Sequence, residues 1–267
     1  MSKENIRVPG KLILNGEYAI TIPGNKALVF AINRFLSKNK SELTNKKGTK
    51  YGLGSSGAYA VLKCRYANKK ADDHIIFKKA LKFSRRKQPQ NSGADIAAST
   101  FGGFLLYENG KLPKKLSFPK KWNLLVGWTG QPASTASLVS MNALTNQFLI
   151  YSQKNVNQMI NSILNRDFHL FEITIDRAEK NLEKLKGTLT KKIALGIKIA
   201  NYFGIKAKIS GAGGGDCIIA FSKNQLISEK IKKVWKKNGI SPLNLKIYYK
   251  NKNEKKLQEN SFFTQKK

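Results

Sequence analysis

Hydrophobic positions in the first third of the chain fall in short blocks separated by glycine and polar residues. Ile6 to Val8 and Leu12 to Leu14 read as short strand pieces, and Ala27 to Ile32 as a buried strand. Residues 37–50 are polar and predict a loop. Beyond Ser56, apolar residues at Ala60, Val61 and Cys64 open a helix, and Asp72 to Phe83 predicts a second. Gly102-Gly103 turns the chain into a strand at Phe104 to Tyr107, and Trp122 to Trp128 predicts another. Ser134 to Leu185 is mostly helical, with Met159, Ile160, Ile163 and Leu164 at helical spacing. Leu189 to Tyr202 predicts one more helix, ending near Gly204. Then come strand, glycine loop and strand across Ala207 to Phe221, a helix from Gln225 to Asn238, and a strand from Leu245 to Tyr249. That closing order has the rhythm of a split βαβ, ferredoxin-like unit. From Asn251 the tail is polar, and no internal repeat is visible.

A chain of 267 residues with 41% hydrophobic content has room for one large domain or two packed ones. No apolar run is long enough to span a membrane, and Met1 to Asn5 leads into the first strand piece without a signal-peptide pattern, so the cytoplasm is the expected compartment. Cys64 and Cys217 are far apart, as are His74 and His169, which speaks against a disulfide framework or a zinc site. The net charge of +33 would attract polyanions. The lysines are spread in pairs along the chain, with no basic helix and no aromatic RNA-binding strand. Solvated faces explain them, and nucleic-acid binding is expected to be nonspecific at most.

The chemistry lies in three glycine-rich strings: Pro9 to Ile20 (PGKLILNGEYAI), Tyr51 to Val61 (YGLGSSGAYAV) and Ser210 to Ala220 (SGAGGGDCIIA). Glycines let a backbone turn its N–H groups toward an anion. Gly52 to Gly57 opens onto a helix, where free N–H groups and the helix dipole favour phosphate; an ordinary helix start with close packing reads equally well. No Gly-Lys-Ser/Thr follows, so it is not the P-loop pattern. Ser55 and Ser56 add hydroxyls able to bond a phosphate or reach Mg²⁺. Gly213-Gly214-Gly215 costs more backbone entropy than a plain turn requires and favours an anion-contacting loop. Lys11 is a cation inside an apolar run, suited to neutralising a transferring phosphoryl group if the loops bind phosphates. Asp95, standing alone, reads as a helix cap.

The three strings, in this order, resemble the GHMP kinases of small-molecule metabolism, and within them the bacterial phosphomevalonate kinases. Gly16-Glu17-Tyr18 stands where mevalonate kinases usually have His after the Glu, and Asp216 where they tend to have Gly. Val126 to Val139 (VGWTGQPASTASLV) and the stretch from Gly239 to Tyr248 are also similar to that family. The resemblance implies an α+β, two-domain GHMP kinase fold: an N-terminal mixed α/β domain over 1–130, a helical, ferredoxin-like C-terminal domain over 131–250, and a polar tail over 251–267. It implies that Gly52, Gly54, Ser55, Ser56 and Gly57 hold the ATP phosphates, with Ser56 and Asp95 near Mg²⁺. It makes Lys11 and Asp95 the catalytic pair. Lys11, Tyr18, Ser92, Gly93, Ser134, Thr135, Ser137, Ser210, Gly211, Ala212 and Gly213 fall on the acceptor side.

The implied reaction passes the γ-phosphoryl of ATP to the phosphate of 5-phosphomevalonate, giving 5-diphosphomevalonate. An acceptor phosphate is mostly dianionic at pH 7 and has little need of a general base. Positive charge and positioning carry the reaction instead. The chain departs from its relatives by a short segment between Phe35 and Tyr51, where they carry part of the wall around the nucleotide base, and by Arg85 to Gln90 ahead of Asp95. A non-catalytic relative that binds phosphorylated ligands and a basic nucleic-acid-binding protein are the competing expectations. Mevalonate kinase and diphosphomevalonate decarboxylase are variants of the first.

Overall fold

In the computed structural model, which describes residues 6–250, the first sheet runs β1 (Val8–Asn15), β2 (Lys26–Leu36), β3 (Phe104–Glu108) and β4 (Lys114–Leu116), all antiparallel. The expected pieces around 6–8 and 12–14 are one strand. It lies at the sheet edge, where proline is tolerated, and register shifts between Pro9 and Lys11 and between Ile13 and Asn15 absorb the irregularity. Helices α1 (Ser55–Ala67) and α3 (Ala94–Phe101) pack on β1 and β2, and α2 (Asp73–Arg85) packs on both helices. The short 37–50 loop is pinned: Leu43 is fully buried over Gly10, and Tyr51 N–H donates to the Leu43 carbonyl at 3.1 Å.

The second sheet takes β5 (Asn123–Trp128), β6 (Ala207–Ser210), β7 (Cys217–Ser222) and β8 (Ser241–Pro242) in the order β6-β7-β5-β8. Between β5 and β6 come α4 (Thr135–Met141), α5 (Asn146–Leu164), α6 (Phe168–Leu182) and α7 (Lys191–Tyr202), and α8 (Gln225–Lys237) precedes β8. Numbered within this unit the order is second-third-first-fourth, the ferredoxin-like arrangement. Its first strand, β5, precedes residue 130, so a division by sheets falls near 120.

One expected strand is corrected. Leu245 to Tyr249 joins neither sheet as a strand; it crosses to the first one, bridging Ile247 to Ile32. Tyr248 N–H donates to Ala31 O at 2.9 Å, and Tyr248 O accepts from Gly103 N–H at 2.7 Å. Its alternating apolar residues serve this crossover rather than a ladder. The polar tail from Asn251 lies outside the described residues. Where the halves meet, Phe118 touches Phe104 (4.9 Å) and Phe221 (5.3 Å), and Trp122 touches Phe171 (4.7 Å), so one aromatic cluster serves both. No described helix is long and apolar enough to cross a membrane.

Below the first glycine string lies a buried charge cluster. Lys208, fully buried, meets Glu17 at 2.5 Å and donates to its neighbour's carbonyl at Ile209, while Glu179 accepts the Ile209 N–H at 2.7 Å. The Lys208 ammonium pairs with Glu17 and acts on Glu179 only through its field, since among the described residues the two make no direct ion pair. Burial pushes Glu179 up to about 7, with Lys208 pulling the other way. A raised carboxyl pKa means the folded chain holds a proton that the unfolded chain releases near 4.5. Stability from this group is therefore full below pH 4.5 and lost as pH rises through 7, by up to about 3 kcal/mol. Glu179→Gln is expected to flatten that decline in urea titrations between pH 5 and 8; an unchanged slope would show that Glu179 is ionised throughout.

Candidate active site

Five of the described helices start on side-chain caps, Asp72 for α2, Thr145 for α5, Asp167 for α6, Thr190 for α7 and Asn224 for α8, while α4 has no such bond at Ser134. Helices α1 and α3 have none either. Each begins on a left-handed glycine without a side-chain cap, Gly54 at φ 75° and Gly93 at φ 86°. The N–H groups of Gly52, Leu53, Gly54, Ser55 and Ser56 find no acceptor among the described residues. Such a run of free donors at the positive end of a helix dipole is suited to an anion.

The glycines of this loop also make room for charge. A Cβ on Gly54 would lie 2.7 Å from Lys11 Cγ, one on Gly57 2.5 Å from Asp95 Cγ, and one on Gly52 2.5 Å from Asp216 Oδ2. Three charged side chains from distant parts of the sequence are thus seated on one six-residue turn. Lys11 comes from β1, whose N–H donates to Leu53 O at 2.9 Å. Its side chain is 9% exposed, and among the described residues its ammonium makes no direct ion pair. Gly211 of the third string faces it, an added Cβ standing 3.9 Å from Lys11 Nζ.

Asp95 sits in the first turn of α3 and is partly exposed. Rather than cap α3, it accepts Ile96 N–H at 2.9 Å and the Gly57 N–H. Desolvation by the helices around it raises its pKa, against the pull of the Lys11 ammonium and these donors. Asp216 was not among the expected site residues. Desolvation raises its pKa too, opposed by the Ala133 N–H, Lys11 and Lys50. The one sequence signal was an acid inside a glycine run, where a turn alone would be content with Asn or Gly.

The remaining expected residues divide by what they are free to do. In the third string, Gly214 N–H donates to Thr188 O and Asp216 N–H to Gln131 O, both at 2.7 Å. The N–H groups of Gly211, Ala212, Gly213 and Gly215 are without acceptors among the described residues. Ser210 is 1% exposed and its hydroxyl both donates to Ile13 O and accepts Ile13 N–H, so it rivets the third string to β1 rather than facing a ligand. Tyr18, 4% exposed, donates its hydroxyl to Ala212 O at 2.6 Å; burial pushes it up to about 12. It holds the first string against the third. Ser92 O accepts the Tyr107 hydroxyl, and Gly93 fits against Leu81 and Tyr107 with no room for a Cβ. Ser134 and Ser137 are exposed at the start of α4, hydroxyls 2.8 Å apart, and Thr135 opens that helix. Leu138 of α4 packs on Gly214, which brings this start beside the third string.

Chemically, the arrangement pairs a buried cation with two arrays of free amides and two flanking carboxyls. Among the described residues no cluster of three or more His, Cys, Asp or Glu exists to cage a metal unaided. Ser55 and Ser56 open the helix whose Gly57 meets Asp95, and hydroxyls with one carboxyl suit Mg²⁺, which takes few protein ligands and completes its shell with water and phosphate oxygens.

The chain as a whole is similar in sequence and in fold to known kinases. Residues 159–241 match the family model for the C-terminal region of GHMP kinases. A phosphomevalonate kinase of Streptomyces sp. (strain CL190) is 30% identical over 253 residues, covering 79% of this chain and 68% of that protein. A mevalonate kinase of Pyrococcus furiosus is 29% identical, covering 83% of this chain and 75% of its own. The Streptococcus pneumoniae phosphomevalonate kinase, solved with phosphomevalonate and AMPPNP, superposes with a TM-score of 0.80 at 21% identity, covering 90% of this chain and 98% of that one. With the α+β architecture, the fold match and the sequence match in agreement, the chain belongs to the GHMP kinase family.

Proposed function

We propose that this chain transfers the γ-phosphoryl of ATP to the phosphate of 5-phosphomevalonate, forming 5-diphosphomevalonate and ADP. The observation that carries the reading is the Lys11 ammonium, buried yet without a direct ion pair among the described residues, between the amide loop at α1 and a second at residues 211–215. Two polyanions must meet for this reaction, and preorganised positive charge is what lowers their mutual repulsion. The amides of Gly52 to Ser56 cradle the ATP phosphates; those of Gly211 to Gly213, with Ser134 and Ser137, take the acceptor. Mg²⁺, held by Ser56 and Asp95, would supply charge neutralisation between the phosphates. Asp95 orients rather than abstracts a proton, since the acceptor phosphate is largely ionised at pH 7. Tyr18 and Asp216, where mevalonate kinases usually carry His and tend to carry Gly, favour the phosphorylated acceptor over mevalonate.

The test is ADP release with Mg·ATP, offering 5-phosphomevalonate and mevalonate separately. Turnover with 5-phosphomevalonate alone is expected. Turnover with mevalonate alone would move the chain one step earlier. No turnover with either, in a folded protein, would leave a ligand-binding relative.

A further inference from the structure

Three described non-glycine residues have positive φ: Tyr18, Arg166 and Asp216. Arg166 turns the chain between α5 and α6, and Tyr18 begins a single 3-10 turn. Asp216, at φ 54°, closes a run of three glycines in which a fourth would be free of strain. A strained residue persists where its surroundings over-determine it, and such residues collect at functional sites.

What holds Asp216 is plain from its contacts. Its backbone N–H donates to Gln131 O at 2.7 Å, and its carbonyl accepts the Thr129 N–H at 2.9 Å and the Thr129 hydroxyl at 3.1 Å. Its Oδ1 accepts the Ala133 N–H at 3.0 Å. Its Oδ2 lies against Gly52 with no hydrogen-bond donor among the described residues, although the side chain is only 8% exposed. One residue therefore touches the loop before α1, the 129–133 segment leading into α4, and the third glycine string.

We infer that Asp216 is a positioning residue that clamps the loop at Gly52 to the 131–133 segment, holding the nucleotide cradle in register with the acceptor-side start of α4. The clamp is the side-chain oxygen bonded to Ala133 and the carboxylate edge seated on Gly52; it does not depend on negative charge. The nucleotide part of this inference rests on the phosphoryl-transfer reading above, and the clamp itself does not.

Asp216→Gly and Asp216→Asn test it by three readouts. In the ligand-free protein, hydrogen exchange in Asp216→Gly should rise at least tenfold in residues 51–57 and 129–134 and stay unchanged elsewhere. Its melting temperature should not fall, because the glycine relaxes φ and removes a buried carboxylate. Its dissociation constant for Mg·AMPPNP should rise at least tenfold, while Asp216→Asn, which keeps the oxygen facing Ala133, stays within threefold of the parent. Unchanged exchange in the two segments overturns the clamp. So does a loss of melting temperature in step with affinity, which marks a merely structural residue, or an Asn variant no better than Gly. A parent protein with no affinity for AMPPNP would sink the phosphoryl-transfer reading, while exchange still decides the clamp.

Discussion

Lys11→Met is expected to lower kcat about a thousandfold, with the fold intact and a smaller change in KM for ATP. A unit charge about 4 Å from a developing phosphoryl charge is worth about 4 kcal/mol at an effective dielectric of 20, which corresponds to roughly three powers of ten in rate. The setting favours that magnitude. Lys11 is buried, Gly54 leaves its stem room, and no direct ion pair among the described residues occupies its ammonium, so little reorganisation is needed to use it. Methionine fills the same channel without the charge. Asp95→Asn is the necessary companion: its amide oxygen can still accept the Ile96 N–H, so the α3 start survives. It should lose less than Lys11→Met, and less than the roughly 10²–10⁴ that a proton-abstracting group supplies. Single-turnover rates in the reverse order would restore Asp95 as a general base.

Lys208→Met should destabilise the protein by about 3–5 kcal/mol, because it strands the buried Glu17 carboxylate near Glu179 without its partner. For a chain of this size that is a fall of about 10 °C in melting temperature. Replacing both partners, Lys208→Met with Glu17→Gln, should recover most of it, since Glu17 is then neutral and Glu179, released from the pull of Lys208, keeps its proton. Thermal denaturation followed by circular dichroism distinguishes the two variants. A single variant that melts with the parent would mean that the pair contributes nothing.

Much of the fold was legible because local chemistry and tertiary packing agree. Asp72 and Asn224 cap helices where the apolar spacing begins them, and Gly204 follows the end of α7. The misreadings mark places where distant partners decide. Pro9-Gly10 looked like a break, yet an edge strand needs no N–H from Pro9, and Gly10 is the space that Leu43 fills. Leu245 to Tyr249 has strand-like alternation, but its hydrogen bonds go to Ala31, Asn33 and Gly103, far back in the sequence. The site divides likewise. Lys11, the Gly52–Gly57 loop and Asp95 could be found as strings, whereas the partners of Glu17, Ser210 and Tyr18 lie nearly two hundred residues away. No spacing rule exposes such a pair. Ser210 and Tyr18 look like ligand contacts in the sequence because both stand inside glycine strings; in the fold their hydroxyls are spent joining those strings.

The crossover of residues 245–250 onto β2 bears on how the molecule is made. During synthesis, β2 and the Gly102-Gly103 turn leave the ribosome well over a hundred residues before the segment that completes their hydrogen bonds. The first sheet can collapse early, but its seam at Ala31 and Gly103 stays open until Tyr248 has been made. A truncation at residue 240 would keep every helix and both glycine loops, yet leave that seam permanently unzipped. Folding of this molecule thus includes a stitch that fastens residues 245–250 to a sheet laid down well over a hundred residues earlier.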